Sequence, residues 1–289
     1  MKTISRKEFV YEMSPCARPV AEVAPGETIR FLTEDAYGGI IKTTRDRFPK
    51  SFARRSNPAT GPVFISGARP GDVLAVEIIS VKPIGKATML MGPTRGPLGW
   101  KLPDDEVVKL PIKAGHVHVD GRRIPIAPMV GVIGVAPRGK AIATTWPGEH
   151  GGNMDCNVIA AGATLYLPVY VEGALVALGD VHAVQAAGEV AICAAETRGE
   201  VILRMGIYEN EMVTPAVETK DDFFIIASAK SLDKTERLVL EKVFLFLTEM
   251  RGLGAHEAVR LMSLACDIEI CQVVDPLKTL RVRIPKRYI

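Results

Sequence analysis

Short apolar runs, each closed by a turn signal, fill the chain from its start to about residue 225. The runs at 28–32, 73–79, 130–135, 165–171, 189–194, 200–205 and 223–227 are rich in Val and Ile, which suit a pleated, half-buried surface. Pro-Gly pairs at 25–26, 70–71 and 147–148 punctuate them. Asp120-Gly121, between the runs 117–119 and 122–126, is a hairpin signal. Almost no helical period occurs in this part. The pattern predicts many short strands, as in a sandwich or barrel.

The period changes after Ser228. Leu238, Val239, Val243, Phe246 and Leu247 recur at helical spacing and predict a helix over 231–250. Ser231 or Asp233 caps its start, and Gly252 and Gly254 end it. A second helix is expected over Ala255–Ala265, then closing strands over 269–274 and 279–284. The expected organisation is a mainly β body, residues 1–225, with a smaller C-terminal α+β part, residues 226–289, packed on it.

Composition changes this picture little. The 26 glycines and 20 prolines among 289 residues agree with many short, interrupted segments. The 36 basic and 33 acidic residues leave a net charge of +3, with no electrostatic case for nucleic acid. The densest basic run, Arg45, Arg47, Lys50, Arg54 and Arg55 interleaved with Phe48 and Phe52, reads as a solvated loop or subunit contact. The segment MKTISRKEFVYEMSP has no apolar core of signal-peptide length, and no apolar run approaches the roughly 18 residues of a membrane span. Five cysteines without a CxxC pair read as reduced thiols, so a soluble, cytoplasmic protein is expected.

The chemistry concentrates between Trp146 and Glu189. In the loop at 145–157, Glu149, His150, Asn153 and Asp155 flank Gly151 and Gly152, whose lack of a Cβ lets backbone approach a ligand closely. A glycine-rich turn with an Asx cap accounts for the same residues. In the apolar run that follows, Asp180 and His182 lie two apart. On a strand such residues face one side, so carboxylate and imidazole point into one place. A buried carboxylate needs a partner, and an imidazole with a divalent cation is one; a satisfied Asp–His pair is the other reading. Such a ligand pair suits Zn²⁺, and a carboxylate-rich set could also hold Ca²⁺. Glu189 could return to the same pocket as a general base.

His116 and His118, extended by Asp120, form a second His-x-His candidate beside the Asp-Gly turn. Asp35, before a Tyr-Gly-Gly break, is a third, with a plain turn carboxylate as the alternative. His256 and Cys156 read as structural. No GxSxG elbow, P-loop or GxGxxG fingerprint occurs.

Four ordered stretches resemble the acetamidase/formamidase family: NPATGPVFISGARPGDVLAVEI at 57–78, IAPMVGVIGVAP at 126–137, PGEHGGNMD at 147–155 and LPVYVEGALVALGDVHAVQ at 167–185. The resemblance implies hydrolysis of small aliphatic amides such as formamide or acetamide, a jelly-roll-like β body, homo-oligomers (dimer or tetramer) and a divalent metal. It carries Asp35, Asn153, Asp155, Asp180, His182 and Glu189 onto matching positions of the family pattern. In one place the chain departs from it: the family's Gln-Gly-Asp-Gly-Glu run stands here as Gln185-Ala186-Ala187-Gly188-Glu189.

On this basis Asp180 and His182 are expected to hold the metal, with Asp35 or Asp155 completing the shell. Glu189 moves the proton, and Asn153 with the Gly151 and Gly152 amides faces the oxyanion. Two other readings use the same residues: a metal-dependent lyase or C–C hydrolase on a small oxo acid, and an inactive small-ligand-binding β-sandwich.

Overall fold

The computed structural model describes residues 1–47 and 55–289. Phe48, Lys50, Phe52 and Arg54 of the expected basic run therefore lie outside the described residues; Arg45, Arg47 and Arg55 are exposed. The strands that build the site and its support are β1 (Thr28–Thr33), β2 (Ala59–Ile65), β3 (Val73–Met91), β4 (Met129–Gly134), β5 (Gly151–Asn153), β6 (Thr164–Pro168), β7 (Val176–His182), β8 (Glu196–Tyr208) and β9 (Asp222–Ala229). Helices α1 (Leu232–Leu245) and α2 (Ala255–Ala265) follow, then β10 (Asp267–Gln272) and β11 (Lys278–Pro285).

These strands pair antiparallel into one curled network with two leaves. One leaf runs β5-β4-β7-β2. The other runs β10-β11-β9, continues through Ala216–Glu218 to β6, and ends β3-β8-β1. The leaves join where Val181 and His182 of β7 pair with Thr197 and Glu196 of β8. The main core fills the space between them. Ile29 and Phe31 of β1, Val201 and Leu203 of β8, Val130 and Ile133 of β4, and Val176, Leu178 and Val181 of β7 all point into it. Each such side chain, fully buried, contributes about 1.5–3 kcal/mol.

Strand β1 alternates inward and outward residues, as expected when one face meets solvent. β4 and β7 are buried at every position, because their second face is covered too. That second face carries the polar residues described below.

The C-terminal part follows the helical period. Ser231 Oγ accepts from the Lys234 amide and caps α1. Val239, Val243, Phe246 and Leu247 pack on Phe223, Ile225 and Ala227 of β9 and on Leu280, Val282 and Ile284 of β11. Meanwhile Phe224 and Ile226, on the other face of β9, enter the main core. The expected boundary at 225/226 thus falls inside one strand.

One predicted strand is absent. Residues 189–194 form a looping turn, with Glu189 at φ +46°, Ile192 at φ +68° and the Ile192 amide donating to the Glu189 carbonyl at 3.0 Å. Cys193 and Ala194 are buried while Val190 and Ile192 face solvent, and left-handed backbone at two points prevents a ladder. Among the described residues no helix is long and apolar enough to cross a membrane.

Candidate active site

Strand β7 kinks at Asp180, whose φ is +55°. A short polar side chain tolerates this region better than most. The ladder pairs Val130 with Val181 and Val132 with Gly179, so Gly131 sits across from the kink. A Cβ on Gly131 would meet Asp155 Oδ1 at 2.5 Å and Asp180 Oδ2 at 2.8 Å. Glycine at this position leaves the space that two carboxylates occupy.

Four side chains converge there. Asp155 comes from the turn after β5, with φ +45°. Asp180 and His182 come from β7, and Glu196 opens β8 directly across from His182. His182 Nε2 lies 3.1 Å from Glu196 Oε2, 3.3 Å from Asp180 Oδ1 and 3.9 Å from Asp155 Oδ1. Asp155, Asp180 and His182 form one group of possible metal ligands, and His182, Glu189 and Glu196 a second. All four of the converging atoms are buried, and none has a hydrogen-bond partner of acceptable geometry. Buried polar atoms are nearly always satisfied, and an uncompensated buried carboxylate is costly. Two triads of such residues that share His182 fit a bound divalent cation.

The surroundings fix the ligand orientations. His182 Nδ1 is 2.8 Å from Gln185 Oε1, while Gln185 Nε2 donates to the Asp155 carbonyl at 2.8 Å. Because the Gln185 amide is oriented by that second bond, it offers an oxygen, and Nδ1 carries the proton. Once Nε2 gives up its proton, its lone pair faces the carboxylates, the form a metal ligand needs. Asn57 Nδ2 donates to Asp180 Oδ2 at 3.0 Å and to Asn153 Oδ1 at 3.3 Å. Asn153 Nδ2 in turn donates to Asp275 Oδ2 at 2.8 Å.

Excess negative charge shows in the protonation equilibria. Burial, reinforced by Asp180, pushes Asp155 up to about 7. Burial and the Asp180 charge push Glu196 up to about 8, against the pull of His182. Burial and Asp155 hold Glu189 well above the usual carboxylate range. For His182 burial opposes the charged form, yet Glu196 and Asp180 raise it well above its ordinary value. Burial first, and then mutual repulsion, raises the proton affinity of Asp155, Glu189 and Glu196.

The cluster lies in an open cleft of about 1240 Å³, lined by Asp155, Asp180, Glu189, Glu196, Asn57, Asn153 and Asp275 among others. Of the residues expected from sequence, Asp155, Asp180, His182, Glu189 and Asn153 are brought together here. Asp35 is not among the lining residues; its Oδ1 accepts from the Tyr37 amide at 3.0 Å and the Gly39 amide at 2.9 Å, closing its own turn. Gly151 and Gly152 do not line the cleft either. At φ +88° and +77° they bring the loop against backbone, where a Cβ would meet the Ile133 and Trp146 carbonyls at 2.4 and 2.2 Å. Their part is to seat Asn153. His116 and His118 lie on a small three-stranded sheet whose Asp120-Gly121 turn has positive φ at both residues, and neither lines the cleft. His256 is exposed on α2. Cys156 is buried, its Sγ 3.6 Å from Arg281 Nη1.

Ala187, where the chain departs from the family pattern, is exposed and outside the cleft lining. The neighbouring Gly188 is tied to the C-terminal part by its amide to the Cys271 carbonyl at 2.9 Å, which holds the Glu189 turn over the cleft.

Sequence reading missed Glu196, Gln185, Asn57 and Asp275. Asn57 and Gln185 fall inside stretches already matched to the family, so the signal was present. Glu196 and Asp275 carry no local signal; strand register and loop packing bring them in.

Known proteins share the sequence pattern and the fold of this chain. The sequence pattern of the Acetamidase/Formamidase family matches residues 11–146 and 138–234. A crystal structure of an acetamidase from Bacillus halodurans superposes with a TM-score of 0.95 at 37% identity, covering 99% of this chain and 98% of that one. A predicted acetamidase/formamidase from Thermoanaerobacter tengcongensis gives a TM-score of 0.96 at 36% identity, covering 99% and 96%. A formamidase of Methylophilus methylotrophus is 23% identical over 254 residues, 66% of this chain and 62% of that protein. The chain thus spans less than two thirds of the length of the curated relatives it matches. With a matched pattern over most of its length and the same fold throughout, the chain belongs to the acetamidase/formamidase family.

Proposed function

We propose that this protein hydrolyses the C–N bond of a carboxamide, releasing ammonia and a carboxylate, with a divalent cation held by Asp155, Asp180, His182 and Glu196. One observation carries the reading: the buried, unpartnered atoms of Asp155, Asp180 and Glu196, at the floor of an open cleft, all lie within 4 Å of the buried His182 Nε2. One imidazole with three carboxylates suits Zn²⁺, with Ca²⁺ the second choice for so carboxylate-rich a set. When bound, the cation supplies the Lewis acidity that an amide carbonyl and a water nucleophile require at neutral pH.

The chain's own groups do the rest. Glu189 is the proton carrier: burial and Asp155 raise its proton affinity, and in its ionised form it would take a proton from the attacking water and return one to the departing nitrogen. Asn153, aligned by Asn57 and Asp275, donates its amide toward the oxygen on which negative charge grows. His182 keeps its proton on Nδ1 through Gln185 and so remains a ligand rather than an acid. The 226–289 part belongs to the catalytic unit, since Asp275 and Lys278 line the cleft.

The direct test is metal analysis of the purified protein together with ammonia release from formamide, acetamide and propionamide, with and without a chelator. Stoichiometric metal and chelator-sensitive ammonia release support the reading. A metal-free protein that releases ammonia unchanged would sink the role given to the four ligands.

A further inference from the structure

The cleft is far larger than formamide or acetamide needs. A molecule of three or four heavy atoms occupies on the order of 100 Å³, a few waters' worth, whereas the cleft measures about 1240 Å³. Its chemistry is also two-sided. The floor is the carboxylate cluster, but one wall carries Lys230 and Lys278. The ladder seats Lys278 across from Ala229, so the two lysines leave adjacent strand ends. The lysines that form ion pairs among the described residues are Lys242 and Lys286; Lys230 and Lys278 are not among them. Among the described residues Lys278 Nζ donates only to the Asp275 carbonyl at 2.7 Å, and Asp275 reaches the floor through Asn153. Trp146 is 43% exposed and lines the same space.

From this we infer that the substrate is the amide of a longer acid that bears a second, anionic group. Its carboxamide reaches the floor, its chain lies along Trp146, and its carboxylate meets Lys230 and Lys278. The inference rests on the amidohydrolase reading and names the substrate class within it. The step is balanced by water alone: the C–N bond breaks, a C–O bond forms, and the monoamide of a dicarboxylate gives a dicarboxylate and ammonia. Two lysines without carboxylate partners are the recognition element, because a charge-assisted hydrogen bond in a partly enclosed cleft is stronger than a neutral one.

The experiment compares kcat/KM for glutaramate, succinamate, valeramide, acetamide and formamide on the metal-loaded protein. Glutaramate is expected to exceed its neutral analogue valeramide by about tenfold or more, the worth of a hydrogen-bonded charge, and the ratio is expected to fall with added salt. The Lys230→Gln, Lys278→Gln double variant should bring the ratio near one. Inhibition by glutarate against valerate gives the same comparison on the unaltered protein. A ratio near one in the wild type, or one indifferent to both substitutions, overturns the inference. Ammonia from formamide and acetamide alone overturns it while leaving the amidohydrolase reading intact; ammonia from no amide overturns both.

Discussion

Gln185 Oε1 lies 2.8 Å from His182 Nδ1, and this contact decides which nitrogen of the imidazole faces the carboxylates. Since the Gln185 amide nitrogen is committed to the Asp155 carbonyl, the same side chain ties two ligands together. Gln185→Leu is expected to weaken divalent metal binding by about 10–100-fold, the usual cost of losing a ligand's supporting partner. Gln185→Glu, which still offers an oxygen to Nδ1, should recover much of it. Chelator competition measures the affinity, and nitrogen NMR of His182 reads the tautomer. Equal affinities in all three proteins would dismiss the role.

His182→Ala removes the only imidazole from among the carboxylates. Bound metal should drop and ammonia release should be lost, with the fold retained, as seen by circular dichroism. Unchanged metal content would send the search to His116 and His118.

Glu189→Gln keeps shape but cannot accept a proton. Metal should stay bound while the rate falls by roughly 10²–10⁴-fold, the usual worth of general acid–base catalysis. A variant with weakened metal binding, rescued by excess metal, would identify Glu189 as a ligand instead. A lowered melting temperature with an intact rate would make it structural.

Gly131→Ala introduces a methyl 2.5 Å from Asp155 Oδ1 and 2.8 Å from Asp180 Oδ2. Backbone conformation is no obstacle, so the effect isolates crowding. Overpacking costs about 1–3 kcal/mol, and metal content should fall with it. Normal metal content by elemental analysis would show that the carboxylates have more room than the geometry allows.

His150 is buried, its Nε2 has no hydrogen-bond partner, and burial lowers its pKa to about 4. The folded state therefore favours the neutral ring relative to the unfolded chain. Above the unfolded value of about 6.5 both states are neutral; as pH falls through the folded value the stability is lost, by roughly 3 kcal/mol at most. Wild type should lose more melting temperature between pH 7 and pH 4 than His150→Leu does. Parallel curves would contradict this.

Metal removal should lower stability, because a ligand that binds only the folded state stabilises it by mass action, about 2.7 kcal/mol at a hundredfold excess over Kd. Melting temperature with and without chelator is the measurement; identical curves would mean that no cation is held in the cluster.

Periodicity alone determined the β body, the turn at Asp120-Gly121, the helical hairpin from Ser231 and its closing strands, because apolar spacing and turn residues act locally. It also placed Asp180 beside His182, which a separation of two on a strand makes unavoidable even though φ +55° at Asp180 bends the strand. Only the tertiary structure decided the rest. Glu196 reaches His182 through strand register, Asp275 reaches Asn153 across the packing of the C-terminal part, and Asp35 is drawn off into its own turn. Register and loop packing are set by the whole core closing at once, and no window of local sequence contains them.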